Sequence, residues 1–195
     1  MSSVPKTTLT PQEYLARERK AEFRSEFYHG EMFAMAGASW EHTLIKDNVA
    51  HNARNQLDDG PCRALTSDLR VKVDATGLYT YPDVIIVCEE PQFEDKMFDT
   101  LLNPRVLMEV LSDSTEKYDR GAKSGHFRQI PSLQEYVLIA QDQPLVERYV
   151  RQQDGGWLLT EFRGLEQTFA FTSIPVNIKL ADIYRGVEFP ENMGR

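Results

Sequence analysis

Two acidic residues stand inside apolar runs where a carboxylate is costly. Asp83 follows Tyr81 and Pro82 and opens the run Val84, Ile85, Ile86, Val87. Glu109 sits among Val106, Leu107, Met108, Val110 and Leu111. Both runs are short, apolar and bounded by proline or polar turns, the pattern of a buried strand. An ionised carboxylate in such a strand loses its hydration unless a cation neutralises it. Two of them on neighbouring strands suggest a shared cation, most simply a divalent metal held by oxygen ligands. Such a metal activates water, so the chemistry to expect is hydrolytic. Each residue also has a plainer account. Asp83 could be a turn residue at a strand entrance, and Glu109 could form a structural ion pair with an arginine such as Arg70.

The surrounding pattern predicts the elements that must hold this pair. Thr10, Pro11 and Glu13 make a capping box for a first helix running to about residue 24. Phe27 and Tyr28, then residues 31–35, flank His29 and Gly30 and read as a β-hairpin. Ser39 caps a second helix that ends near Gly60, with Leu44, Ile45, Val49, Ala53 and Leu57 on one face for packing on a sheet. Residues 63–87 then read as strands. Leu69, Val71 and Val73 alternate with Arg70, Lys72 and Asp74, which implies one wet face. The acidic stretch 89–103 is the longest loop. Residues 112–115 introduce a third helix over 116–129, closed by Pro131. Segments 135–140, 145–151 and 157–162 form a meander. The class is α+β, with a central mixed sheet packed by the second and third helices.

Length and composition narrow the function. The 195 residues make one domain with a real core, 41% hydrophobic and 27% charged, as in an ordinary globular protein. No apolar stretch is long enough to span a bilayer, and the N-terminus lacks a signal-peptide pattern. Cys62 and Cys88 have no metal-binding spacing and read as buried free thiols in a reducing compartment, so the cytoplasm is the expected location. The net charge of −8 argues against strong, sequence-blind DNA binding, because phosphate contacts need a basic surface. It leaves room for a nuclease, whose metal site itself demands carboxylates.

The order helix, three strands, helix, strand, with an aspartate on one strand and a glutamate on the next, resembles the PD-(D/E)xK nuclease superfamily. More specifically the chain resembles the Uma-type restriction endonucleases, a family formerly described as a domain of unknown function. The resemblance covers about residues 28–150. It is carried by His29, Gly30 and Glu31, then residues 35–39 and His42, then Ser67, Asp68, Leu69, Arg70 and Val71. Tyr81 to Val84, Glu109 to Ser112, Ser114, Thr115, Asp119, Lys123 and residues 133–136 complete it. It implies a restriction-endonuclease-like αβββαβ core preceded by a helix and hairpin, within a single domain over 1–195 whose residues 151–195 form a C-terminal β-meander extension.

The resemblance also implies roles. Asp83 and Glu109 become ligands of Mg2+ or Mn2+, with the carbonyl of Val110 as a further oxygen ligand. The superfamily places a lysine two residues after the glutamate, where this chain has Leu111. Side chains at i and i+2 share a strand face, so Leu111 occupies the lysine's place without its charge. Lys123 matches the position to which the Uma-type group moves that lysine. His42 would relay a proton or contact phosphate, and Asp68 would be a third acidic ligand or an outer partner. Against these stand a solvent-exposed Asp119–Lys123 ion pair on one helix, an ordinary helical His42, and an Asp68 that bonds a backbone turn. Two functions follow. One is a metal-dependent endonuclease acting on DNA, as a homodimer whose two-fold axis matches a duplex. The other is a catalytically inactive descendant serving as a binding or regulatory module. A hydrolase of another phosphoester would use the same carboxylates.

Overall fold

The computed structural model describes residues 8–66 and 68–189; Ser67, one of the landmark residues above, lies outside them. The chain begins with α1 (Pro11–Glu18), whose capping box forms as expected between Thr10 and Glu13. It ends at Glu18, short of residue 24, because the fully buried Glu18 carboxylate accepts the Ser25 N–H and the Tyr81 hydroxyl and turns the chain into the next strand. The hairpin β1 (Ser25–Tyr28) and β2 (Glu31–Ala34) follows, turning at His29 and Gly30, both with positive φ. Helix α2 (Trp40–Leu57) starts where Ser39 Oγ accepts the His42 N–H.

Six strands come next: β3 (Arg63–Thr66), β4 (Arg70–Val73), β5 (Leu78–Thr80), β6 (Val84–Val87), β7 (Thr100–Leu101) and β8 (Val106–Leu111). The third helical stretch consists of α3 (Glu116–Tyr118), a π-helical segment (Asp119–Lys123) and α4 (Ser124–Phe127). Then come β9 (Glu135–Ala140), β10 (Leu145–Arg151), β11 (Trp157–Arg163), the small hairpin β12 (Thr168–Ala170) and β13 (Asn177–Lys179), and α5 (Leu180–Ile183).

The central mixed sheet has six strands in the order β11-β10-β9-β8-β6-β3, with β8 and β9 parallel. A second sheet, which the sequence pattern did not separate from it, runs β2-β1-β5-β4-β7. Strand alternation divides the core between the two faces of the central sheet. Val84, Ile86, Met108 and Val110 face Ile45, Val49, Ala53 and Leu57 of α2 and Phe169 of the C-terminal hairpin. Ile85, Leu107, Leu111 and Tyr136 face Phe127 of α4 and Val71, Leu78 and Leu101 of the second sheet. Glu109, between Leu107 and Leu111 in the alternation, therefore belongs to the second face. Among the described residues no helix is long and apolar enough to cross a membrane.

Two expectations are corrected. Arg70 is not on a wet face but 3% exposed, held by Tyr81 Oη (2.7 Å), Thr100 Oγ1 (3.0 Å) and Asp99 (3.1 Å). Strand β4 lies inside its sheet between β5 and β7, and the guanidinium stacks near the Tyr14 and Tyr81 rings, so a charged residue is buried with its partners. Cys62 and Cys88 are not free thiols but a disulfide. Arg63 pairs with Val87 across β3 and β6, so the next step of the antiparallel register sets the two cysteines opposite one another. With the free thiols goes the cysteine argument for a reducing compartment. The bridge closes a loop of sequence separation 26. A Cys62→Ser/Cys88→Ser chain is expected to lose about 3 kcal/mol of stability from the freed denatured-state entropy. Urea denaturation checks this, and an unchanged midpoint would rule it out.

Candidate active site

The β6–β8 register pairs Val84 with Met108, and one further step sets Asp83 opposite Glu109. Opposed residues of an antiparallel pair project to the same face, so two chain segments distant in sequence bring their carboxylates together. The Asp83 N–H reaches Glu109 Oε2 at 3.4 Å, and Asp83 Oδ2 accepts the Val110 N–H at 2.8 Å. The N–H and C=O of one strand residue point to the same side. The Val110 carbonyl is therefore directed to the Asp83 side as well.

His42 arrives from the first turn of α2, where the Ser39 cap fixes the helix start. Its Nε2 lies 2.9 Å from Asp83 Oδ1. Lys123 arrives from the opposite face. Its Nζ lies 2.8 Å from Glu109 Oε1, 3.2 Å from Glu26 Oε1 and 3.4 Å from Asp119 Oδ1. The Asp119–Lys123 pair, whose plainer account was a solvent-exposed one, is thus buried, at 3% and 5% exposure. Asp119, Lys123 and the fully buried Phe127 recur at four-residue spacing, so the pair lies on the face of this helical stretch that packs on the sheet. Arg70 is committed to Asp99, Tyr81 and Thr100, so the pairing of Glu109 is with Lys123 instead.

The structure does not bring Asp68 into this group. It is exposed ahead of β4, with Arg24 Nη2 at 3.8 Å. Glu26, which sequence reasoning missed, takes a place beside Lys123 from β1. The signal was a carboxylate next to Phe27 and Tyr28 in a strand, the same cost that singled out Glu109.

Four carboxylates (Glu26, Asp83, Glu109 and Asp119) thus meet one ammonium and one imidazole. Burial, with the charges of Asp119 and Asp83, holds the Glu109 carboxyl well above the usual carboxylate range against the opposing pull of Lys123. Burial likewise raises Asp119. For Lys123 burial works against the charge, but Glu109, Glu26 and Asp119 together raise it well above the ordinary lysine value. The cluster has more negative charge than its own cations neutralise.

A divalent ion fits that balance. Glu109 Oε1 is buried, with the Lys123 ammonium 2.8 Å away as its counter-charge. Among the described residues no three His, Cys, Asp or Glu side chains form a ready metal cage. A cation here would therefore take Asp83, Glu109 and the Val110 carbonyl and keep several waters, as Mg2+ commonly does. Beside the site, at the C-terminal ends of β8 and β9, a cavity of about 100 Å³ is lined by Leu111, Ser112, Gln141 and Arg120 among others.

A family model described as "Uma2: Putative restriction endonuclease" matches residues 11–181. The chain belongs to the Uma2 family. All the site residues named above lie within the matched span. Two relatives come from Synechocystis sp. (strain ATCC 27184 / PCC 6803 / Kazusa), both described as uncharacterized proteins. One, sll1609, is 40% identical over 168 residues, covering 85% of this chain and 95% of its own length. The other, slr1290, is 34% identical over 187 residues, covering 96% and 97%. Among solved structures, a "putative nuclease belonging to DUF820" from Anabaena variabilis ATCC 29413 superposes with a TM-score of 0.73 at 18% identity, over 90% of this chain and 97% of that one. At that identity the likeness is one of fold. The Uma2 chain is an α+β protein with the restriction-endonuclease-like arrangement.

Proposed function

We propose that this chain is a metal-dependent endonuclease hydrolysing DNA phosphodiester bonds, with Lys123 in place of the lysine missing at Leu111. The observation that carries the reading is the 2.8 Å approach of the Lys123 ammonium to Glu109, reached from a different element and the opposite side from His42. A catalytically inactive descendant has no need to bury a lysine among three carboxylates beside a paired Asp83. Asp83, Glu109 and the Val110 carbonyl would hold Mg2+ or Mn2+. When bound, that ion acidifies a water molecule and polarises the scissile phosphate. Lys123 supplies a fixed positive charge where negative charge grows on the phosphoryl oxygens. His42 would hold Asp83 through Oδ1 and relay a proton or contact the phosphate.

The net charge of −8 confines any DNA contact to a local surface, and a homodimer would cut both strands with one site per chain. The test is cleavage of supercoiled and linear DNA with Mg2+ or Mn2+, with and without chelator, beside Asp83→Ala. Wild-type cleavage that chelator and the substitution both abolish supports the proposal. An inert wild type that also gives no calorimetric Mn2+ binding favours the binding-module reading, towards which Leu111 and the acidic charge point.

A further inference from the structure

Glu26 belongs to neither strand that carries the proposed ligands, yet its carboxylate is buried and has a donor on every side. Oε1 accepts from the fully buried Thr80 Oγ1 and stands 3.2 Å from Lys123 Nζ. Oε2 accepts from Tyr118 Oη at 3.1 Å. An ionised carboxylate can only accept, so the phenol is the donor in this bond. Glu26 is therefore anchored from β5 and from α3 before it meets the lysine.

Lysine carries a point charge on a flexible four-carbon stem, and its location depends on what surrounds it. The groups facing the Lys123 ammonium are Glu109 from β8, Asp119 from its own helical stretch, Tyr136 from β9, Glu26 from β1, and the Tyr118 and Phe127 rings at 5.8 and 5.9 Å. Of the three carboxylates, Glu109 is needed elsewhere and Asp119 moves with the lysine's own helix. Glu26 alone comes from the second sheet, where Thr80 of β5 holds it independently of that helical stretch. The ammonium is held between Glu26 Oε1 at 3.2 Å and Glu109 Oε1 at 2.8 Å.

We propose that Glu26 is the positioning residue that fixes the Lys123 ammonium against Glu109. Its catalytic consequence rests on the nuclease reading; its effect on Lys123 does not. Nitrogen-15 NMR of the lysine ammonium groups, on the full metal-free chain, tests it, with the Lys123 signal assigned from its loss in Lys123→Arg. The wild type is expected to show a slowly exchanging Lys123 ammonium signal at neutral pH. Glu26→Gln should broaden it away, and Tyr118→Phe, which removes one anchor but keeps the carboxylate and the ring, should shift it. On DNA, Glu26→Gln should lower kcat about ten- to a hundredfold with KM unchanged, the usual effect of disturbing a residue that orients a catalytic group. Should Glu26→Gln not fold, Tyr118→Phe decides. A Lys123 signal missing from the wild type, or unchanged in the folded variants, overturns the proposal. A signal that responds in a chain that cleaves no DNA removes the nuclease reading and leaves the positioning role standing.

Discussion

Glu109→Gln is expected to cleave DNA at about a hundredth to a thousandth of the wild-type rate, yet to be more stable than the wild type without metal. The activity loss follows from removing one of two carboxylates that would hold the metal, an electrostatic loss of the usual size for such groups. The gain in stability follows from the charge balance. Four carboxylates face one ammonium and one imidazole, so the metal-free fold carries a repulsion that the amide removes at nearly the same shape. Lys123 keeps Glu26 and Asp119 as partners. The expected gain is about 1 kcal/mol, or 2–4 °C in Tm for a chain of this size. Mn2+ should reverse the order by stabilising only the wild type. Melting curves of both proteins with chelator and with Mn2+ read all three effects, and a variant less stable than the wild type in chelator would refute the charge argument.

The same balance fixes a pH dependence. Glu109 and Asp119 hold their protons to higher pH in the fold than in the unfolded chain, chiefly through burial. The folded state therefore binds more protons than the unfolded state across that interval, and stability falls as pH rises through it. The advantage of Glu109→Gln should be absent in acid and grow as pH rises above the ordinary carboxylate range, because the variant has lost its share of the slope. Lys123 acts at the other end. Its raised value means that the stability it provides is intact at neutrality and is lost only as pH rises beyond the ordinary lysine range. Metal binding needs the carboxylates deprotonated, so cleavage should rise with pH over the interval where metal-free stability falls.

What the sequence disclosed about this site follows from what each residue costs locally. Asp83 and Glu109 were legible because a carboxylate in an apolar strand is anomalous within a window of a few residues. Leu111 was legible as their neighbour by strand alternation, and the fold places it in the core on the Glu109 face. Lys123 was legible only through the family resemblance, because its local spacing offers just an i,i+4 pair with Asp119, and its burial depends on Glu26 and Glu109 from distant strands. Glu26 escaped because its meaning lies in a partner distant in the chain; alone it is one polar residue in a hairpin strand. Arg70 shows the converse failure. Alternation with Val71 and Val73 announced a wet face, and only the second sheet, with Thr100 and Tyr81 closing over the guanidinium, makes it a buried one. Cys62 and Cys88 needed the β3–β6 register to become opposite, which no spacing rule for cysteines contains.

Lys123→Met is expected to be the most damaging single change to the metal-free fold, costing about 3–5 kcal/mol, the range for removing one partner of a buried ion pair. The methionine fills most of the space beside Phe127 but leaves Glu26, Glu109 and Asp119 facing one another without a cation. Those carboxyls would then retain protons even further above their ordinary range. The deficit should be small in acid and widen steeply towards neutrality, the sign set by a folded state that now binds still more protons than the unfolded one. Urea denaturation of both proteins across that pH range measures it. Mn2+ should recover part of the lost stability, since a divalent ion at Asp83 and Glu109 neutralises two of the charges. DNA cleavage should stay lost even at saturating Mn2+, because the fixed charge beside the phosphate is gone. Lys123→Arg separates these roles. Its guanidinium keeps the charge and should restore much of the stability, but its planar fork cannot take the point position of an ammonium between Glu26 and Glu109. Cleavage should therefore remain well below that of the wild type. If Lys123→Met were as stable as the wild type at neutral pH, the ammonium could not be the cation that holds these three carboxylates together, and the proposed site would lose its centre.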